Sequence, residues 1–379
     1  MIYLDYVSTT PLNQEVNHMY QSLLNDYFAN ADSLYSLGLK TSALMEKSRE
    51  LTAQLLHVLP EEIIFTSGAS ESNSAAIKGC VFQYQNRGKH IITTAVEHSS
   101  VYQSCIQLRD VFGFEVDFIS VDASGNLDLK QLEEAIRPDT ILITMMYVNN
   151  EVGMVFPIEK VYQMIQKINP KIKLHVDMVQ ALGKMPIDLT HVDLASFSAH
   201  KIYGLKGSGV LYKKTSTSLV PLINGGQQEH QLRGGTSNTA THTMFAKTLR
   251  LALENLEQKY QYVTSLNHYI REQLTQIPDI VINTPSEHVS PYILNFSCVG
   301  YKPEVILHAL EMYECYVSTK STCSSHKSDI SRTLQAMGIR EDIAKSAIRI
   351  SFSHHTTQDE LDEFLFYLKK TLKTIKKQR

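Results

Sequence analysis

The chain has 379 residues, 43% of them hydrophobic and 20% charged, with a formal net charge of −3. That length is too great for one small core and suits one large domain with a smaller one. The near-balanced charge argues against a nucleic-acid coat or a membrane-surface protein, and no apolar run approaches the ~20 residues of a spanning helix.

The first residues, Met1 to Asp5, carry neither a basic region nor a cleavage signal. Short apolar runs then alternate with amphipathic stretches. Ile63–Phe65, Ile91–Thr94, Val116–Ile119, Ile141–Tyr147, Leu174–Val176 and Val210–Tyr212 read as strands. Ser72–Gln85, Ser100–Phe112, Leu129–Arg137 and Ile158–Ile168 read as the helices between them. This alternation predicts an α/β fold with a mostly parallel sheet, whose ligands sit on loops at the carboxyl ends of strands. Thr243–Thr275 reads as one long helix, followed by segments at Tyr292–Phe296, Val305–Glu311 and Ile348–Phe352 and a last helix from Gln358. That tail predicts a second, α+β domain. The expected division is 13–250 for the large domain, and 1–12 with 251–379 for the small one.

The five cysteines, Cys80, Cys105, Cys298, Cys315 and Cys323, are odd in number and form no CxxC pair. Neither a metal site nor a disulfide framework is expected, and a reduced cytoplasmic setting is the default.

Four stretches carry candidate chemistry. Lys201 follows an apolar strand and precedes a turn with Gly204, Gly207 and Gly209; desolvated there, it would suit Schiff-base chemistry, although an arbitrary lysine is usually a surface one. Ser198 and His200 beside it offer donors to a phosphate. Asp177 closes the apolar run from Leu174 and is placed either to cap the next helix or to hold a protonated pyridine nitrogen, as pyridoxal phosphate requires. Gln180 is then within reach of the phenolic oxygen. The run Thr66 to Asn73 is a strand end, a glycine turn and a helix start, and reads as an ordinary N-cap or as a phosphate cradle to which Ser70 adds a hydroxyl. His98, after the strand at Ile91, is either structural or a ring that stacks on a cofactor and moves protons.

In this order the motifs resemble the NifS/IscS-type cysteine desulfurases of the class V aminotransferase superfamily. The resemblance runs from Ile2–Asp5 and Thr9-Thr10-Pro11 to Arg349–Ser351 and Thr356-Thr357. It is nearly letter for letter in Val148–Gly153, His175–Lys184 and Ser196–Gly204. It implies the pyridoxal-phosphate transferase fold of the aspartate aminotransferase type (fold type I), and L-cysteine as substrate. It also implies site roles. Lys201 carries the cofactor, Asp177 pairs with its pyridinium, and His98 stacks on the ring. Ala69, Ser70, Ser198 and His200 hold the phosphate, and Thr236 reaches the phosphate of the other subunit of a homodimer. Asn150 approaches the cofactor, and Arg349, with Asn150 and Asn30, binds the substrate. A guanidinium is also the usual clamp for an amino-acid carboxylate.

Cys323, within a small polar stretch at about 317–328, is the implied sulfur-accepting thiol, with Lys320, His326 and Lys327 near enough to favour a thiolate. The chain departs from the family pattern at Asp5-Tyr6-Val7-Ser8, at Asn30-Ala31-Asp32-Ser33 and at Lys320, where the family has a glycine. The implied partner is a sulfur acceptor protein, either a tRNA sulfurtransferase or an iron–sulfur scaffold. The early end to the chain, set beside family members that run on, favours the former; the basic stretch from Lys369 to Arg379 reads either as a surface that steers an acidic or RNA-holding partner or as a solvated final helix. Rival readings are a selenocysteine lyase or another class V enzyme, and a weakly active sulfur-relay subunit.

Overall fold

The computed structural model describes residues 1–319 and 330–377. Its strands, in chain order, are β1 (Ile2–Tyr3), β2 (Ile63–Thr66), β3 (His90–Thr94), β4 (Glu115–Ile119), β5 (Thr140–Met146), β6 (Lys173–Asp177), β7 (Leu194–Ser198), β8 (Gly209–Lys213), β9 (Ile280–Ile282), β10 (Ile293–Cys298), β11 (Cys315–Tyr316) and β12 (Ala347–Ser351). The main sheet has the order β2-β8-β7-β6-β5-β3-β4. All its neighbours pair in parallel except at β8, which is antiparallel to both β7 and β2. Every residue of β5 and β7 is buried, because helices cover both faces of a parallel sheet. At the edge, β4 alternates exposed Glu115 and Asp117 with partly buried Val116 and Phe118.

The predicted strands fall within one residue of the observed ones, and the helices observed at 69–84, 99–112, 129–135 and 158–168 match those read from periodicity. The long helix expected over Thr243–Thr275 is instead two, Thr239–Leu253 and Leu256–Thr275. Between them Asn255 adopts a left-handed conformation, and Lys259 Nζ donates to the carbonyls of Leu251 and Ala252 at 3.0 and 3.2 Å, closing the first helix. Two further helices, Gln14–Asp26 and Ser36–Leu56, are not among those the sequence pattern predicts. The second buries Gly38, Thr41, Ser48, Arg49 and Thr52 beside its few apolar residues as it packs on Thr239–Leu253. Small and polar buried faces leave little periodic signal to read.

Beyond the main sheet, β12-β10-β9 forms an antiparallel sheet, and β1 pairs in parallel with β11. One hydrophobic core runs through both regions, from Phe65 and Phe197 to Phe296 and Phe364. The N-terminal strand therefore belongs structurally with the C-terminal third: Ile2 N donates to the carbonyl of Glu314, and Asp5 bridges to Ser351.

Candidate active site

Strands β2, β3, β5, β6 and β7 run the same way, so their carboxyl ends meet at one edge of the sheet. There they surround a cavity of about 580 Å³. Ala69, Ser70, His98, Asn150, Asp177, Gln180, Ser198, His200, Lys201 and Arg349 all line it. Reversed β8 starts at this same edge with Gly209. A Cβ there would lie 2.5 Å from Gly68 Cα, so only glycine lets the turn before helix Ala69–Tyr84 sit against β8.

Lys201 ends a 3₁₀ turn directly after β7. Its Nζ donates to the carbonyls of Val7 and Ser8 at 2.7 and 2.6 Å. The segment that departs from the family pattern thus forms one wall of the site. Asp177, the last residue of β6, accepts from Asn73 Nδ2 at 2.8 Å and from the Val179 amide at 3.1 Å. The carboxylate therefore caps the turn that follows by accepting from Val179, while it still borders the cavity. Asn73 also donates to Ser100 Oγ at 2.9 Å. Ser100 in turn meets His98 Nδ1 through its hydroxyl at 2.8 Å and its amide at 3.2 Å. An amide can only donate, so Nδ1 is an acceptor and the imidazole proton is assigned to Nε2. Burial lowers the His98 pKa and keeps the ring neutral. Burial likewise takes His200 down to about 4; its Nδ1 lies 3.2 Å from Thr9 Oγ1.

Arg349 is buried on β12. It donates through Nη1 to the Asn150 carbonyl at 2.8 Å, and through Nη2 to Asp5 Oδ1 and Ser8 Oγ at 2.8 Å each. Its backbone exchanges hydrogen bonds with Ser318 at 2.7 and 3.0 Å. Past the undescribed stretch, Arg332 stacks on Tyr102 and donates to the Glu97 carbonyl at 3.2 Å. Both flanks of the segment that holds Cys323 are therefore tied to residues beside the cavity. Cys323 itself lies outside the described residues, as do Lys320, His326 and Lys327.

Thr236 and Asn30 are not brought to this cavity. Both are exposed, Asn30 in the turn between the first two helices. Gln228 Nε2 donates to Asp32 Oδ2 at 2.5 Å, which joins that turn to the segment leading to Thr236. Residues that sequence reasoning passed over include Asn73, Ser100, Lys184, Lys206 and Glu97. Asn73 shares the buried face of its helix with Ala76, Ile77 and Cys80, and a polar residue on an apolar face was the available signal.

Glu97 is fully buried. Its Oε1 accepts from Thr94 Oγ1 at 2.6 Å and from the Met146 amide at 3.0 Å, while Oε2 meets no partner among the described residues. Burial, reinforced by Asp177, pushes its carboxyl up to about 8. A folded-state pKa raised above the unfolded one adds stability at low pH that is lost as pH climbs toward 8, with a slope approaching ~1.4 kcal/mol per pH unit. Glu97→Gln, neutral throughout, should therefore gain in melting temperature over the parent between pH 6 and 9. Parallel melting curves across that range would show that the carboxyl is already ionised in the fold.

The aminotransferase class-V family matches residues 2–364. A relative described as cysteine desulfurase IscS, from Dictyoglomus turgidum, is 38% identical over 378 residues, covering 99% of this chain and 95% of its own length. A solved NifS-like protein superposes with a TM-score of 0.93 at 34% identity, covering 99% of this chain and all of that one. The structure of SspA in complex with cysteine gives 0.82 at 32% identity, over 94% of this chain and all of its own. With such matches across its length, the chain belongs to the class V aminotransferase family, and within it to the IscS/NifS-type cysteine desulfurases.

Proposed function

We propose that the protein uses pyridoxal 5′-phosphate to remove sulfur from L-cysteine, giving L-alanine and a persulfide on Cys323 that passes to an acceptor protein. The donor set fits the cofactor. An amine (Lys201), a carboxylate (Asp177) and a helix start (Ala69, Ser70) face one cavity, as an aldehyde, a pyridine nitrogen and a phosphate require. Gln180 serves the phenolic oxygen, His98 the ring face, and Ser198 and His200 the phosphate. When bound, the cofactor supplies an electron sink for bonds breaking at the substrate's α-carbon.

Arg349 holds the substrate carboxylate, with its guanidinium oriented by Asp5, Ser8 and the Asn150 carbonyl. Lys201 moves the proton at the α-carbon, and His98 holds a proton at Nε2. The Cys323 thiolate attacks the substrate sulfur. An S–S bond forms as the C–S bond breaks, and the electron pair stays with the β-carbon, which after protonation leaves as the methyl of alanine. No external oxidant is needed.

The observation that carries the assignment of the nucleophile concerns the other cysteines. Cys80, Cys105, Cys298 and Cys315 are all buried, and burial pushes the last three up to about 12 and Cys80 higher still. Such thiols are poor nucleophiles. Mass spectrometry after one turnover with L-cysteine should find alanine and one persulfide per chain, on Cys323. Sulfur released with no persulfide would favour a lyase instead.

The same reading makes the protein a homodimer in which Thr236 and Asn30 serve the neighbour's site. Phe28, Leu34, Tyr35, Leu37 and Leu39 leave a large exposed apolar area beside them, which favours burial in a partner. Sedimentation at the mass of one chain, with full activity, would refute it. The acceptor is a tRNA sulfurtransferase or an iron–sulfur scaffold, and Lys369, Lys370 and Lys373 offer it a basic face on the last helix. No helix among the described residues is long and apolar enough to cross a membrane. A reducing cytoplasm suits the four cysteines that are unpaired among the described residues. The domain division at 13–250 against 1–12 with 251–379 is supported by the pairing of β1 with β11.

A further inference from the structure

Lys184 is a lysine that the reaction as described does not use. Its side chain is buried, and its Nζ donates to Gln180 Oε1 at 2.6 Å, one helical turn earlier in the chain. On the opposite side of the same amide, Gln180 Nε2 donates to the Val7 carbonyl at 3.3 Å. An ammonium or amine here acts as the donor, and a carbonyl can only accept. The two contacts together therefore fix which way the Gln180 amide points. The NH₂ end is the one left at the cavity that Gln180 lines, and the carbonyl end is turned away toward Lys184.

The chain is shaped to hold the lysine there. Gly183 has φ +65, and a Cβ on it would stand 2.8 Å from Ala252 Cβ and 3.0 Å from Ile202 Cγ2. The turn from Met178 to Met185 is closed by the amides of Ala181, Leu182, Lys184 and Met185. Burial pulls the Lys184 pKa down to about 7, helped by Lys201 and Arg349. Across a small adjoining cavity it also shares walls with Lys259, His354, His355 and three tyrosines, Tyr6, Tyr203 and Tyr292. A buried lysine with one fixed acceptor is an expensive way to fill space, and a methionine would fill it without the polar cost.

We propose that Lys184 is a positioning residue: it locks the Gln180 amide with its N–H groups toward the cavity, so that Gln180 can only donate to the phenolic oxygen of the bound cofactor. This rests on the cofactor reading above and goes beyond it by assigning Lys184. Without Lys184 only the longer contact to the Val7 carbonyl at 3.3 Å orients the amide, and a flip that presents its carbonyl, which repels an anionic oxygen, costs less. A donor at that oxygen stabilises its deprotonated form, so the wild-type cofactor should lose its proton at a lower pH than a variant lacking the lock.

The test is the pH midpoint of the bound cofactor's visible band, read on the reconstituted dimer. Lys184→Met should raise the midpoint by about one pH unit, a tenfold change in proton affinity. Lys184→Gln keeps an N–H donor without the charge and should stay near the wild-type midpoint; it also gives a reading if the methionine variant does not fold. In a Gln180→Ala background, Lys184→Met should add no further shift, because the two residues act through one contact. An unchanged midpoint in Lys184→Met would overturn the proposal. So would a shift in Lys184→Gln as large as that in the methionine variant, or a shift that survives in the Gln180→Ala background, since either would mean that Lys184 acts by charge alone. A wild type with no visible band after reconstitution would fail earlier and differently, by removing the cofactor reading on which the inference stands.

Discussion

Replacing Lys201 with alanine should lower turnover of L-cysteine by ~10³-fold or more and leave the purified protein without a covalently held, yellow cofactor. On the proposed reading two roles converge on one nitrogen, the attachment point and the proton carrier at the substrate's α-carbon, and among the described residues no other amine takes this position. Lys184 lines the small adjoining cavity, turned to Gln180, and Lys206 is an exposed side chain at the rim. The Lys201 amine is held at the carboxyl edge of the sheet by the Val7 and Ser8 carbonyls, so the alanine variant should keep its fold and lose only the chemistry. Borohydride reduction followed by peptide mass mapping checks the attachment. Reduced cofactor found on any other lysine, or substantial turnover in Lys201→Ala, would remove the central assignment.

Replacing Cys323 with alanine should separate the two halves of the reaction. The variant should bind the cofactor and still show a spectral change on addition of L-cysteine, because Asp177, His98, Gln180 and Arg349 are untouched. Sulfide release under added thiol should nevertheless fall by ~10²-fold or more, since in the proposed reaction the Cys323 thiol takes the sulfur. The four buried cysteines cannot replace it without exposing a thiol whose ionisation burial opposes. A colorimetric sulfide assay beside the absorbance titration decides the matter. Sulfide at the parent rate would mean a different nucleophile.

Much of this cavity's lining is legible in the sequence. Asp177, Ser198 and Lys201 stand at the ends of apolar runs, and a parallel sheet delivers such ends to one edge. The helix that carries Ala69 and Ser70 was marked by Gly68 after a strand end and by the run of helix-compatible residues that follows. The helix at 36–56 was not legible, because it buries serine, threonine and arginine against its neighbour, and its apolar pattern is correspondingly faint. The break at Asn255 was hidden for a related reason. A single left-handed residue closed by a lysine from the next helix leaves the 3.6-residue period almost intact on either side.

Local periodicity and short motifs were enough to place the strands of the main sheet and to pick out residues that line one cavity at its carboxyl edge. How those residues are held is set by contacts between distant parts of the chain. Asn73 bridges to Asp177 across 104 residues, and Asp5 reaches Arg349 across 344. Glu97 carries a raised pKa because the folded chain surrounds it and leaves one oxygen without a partner among the described residues. Desolvation and pairing between distant side chains come into being when the core closes, and no window along the chain contains both partners.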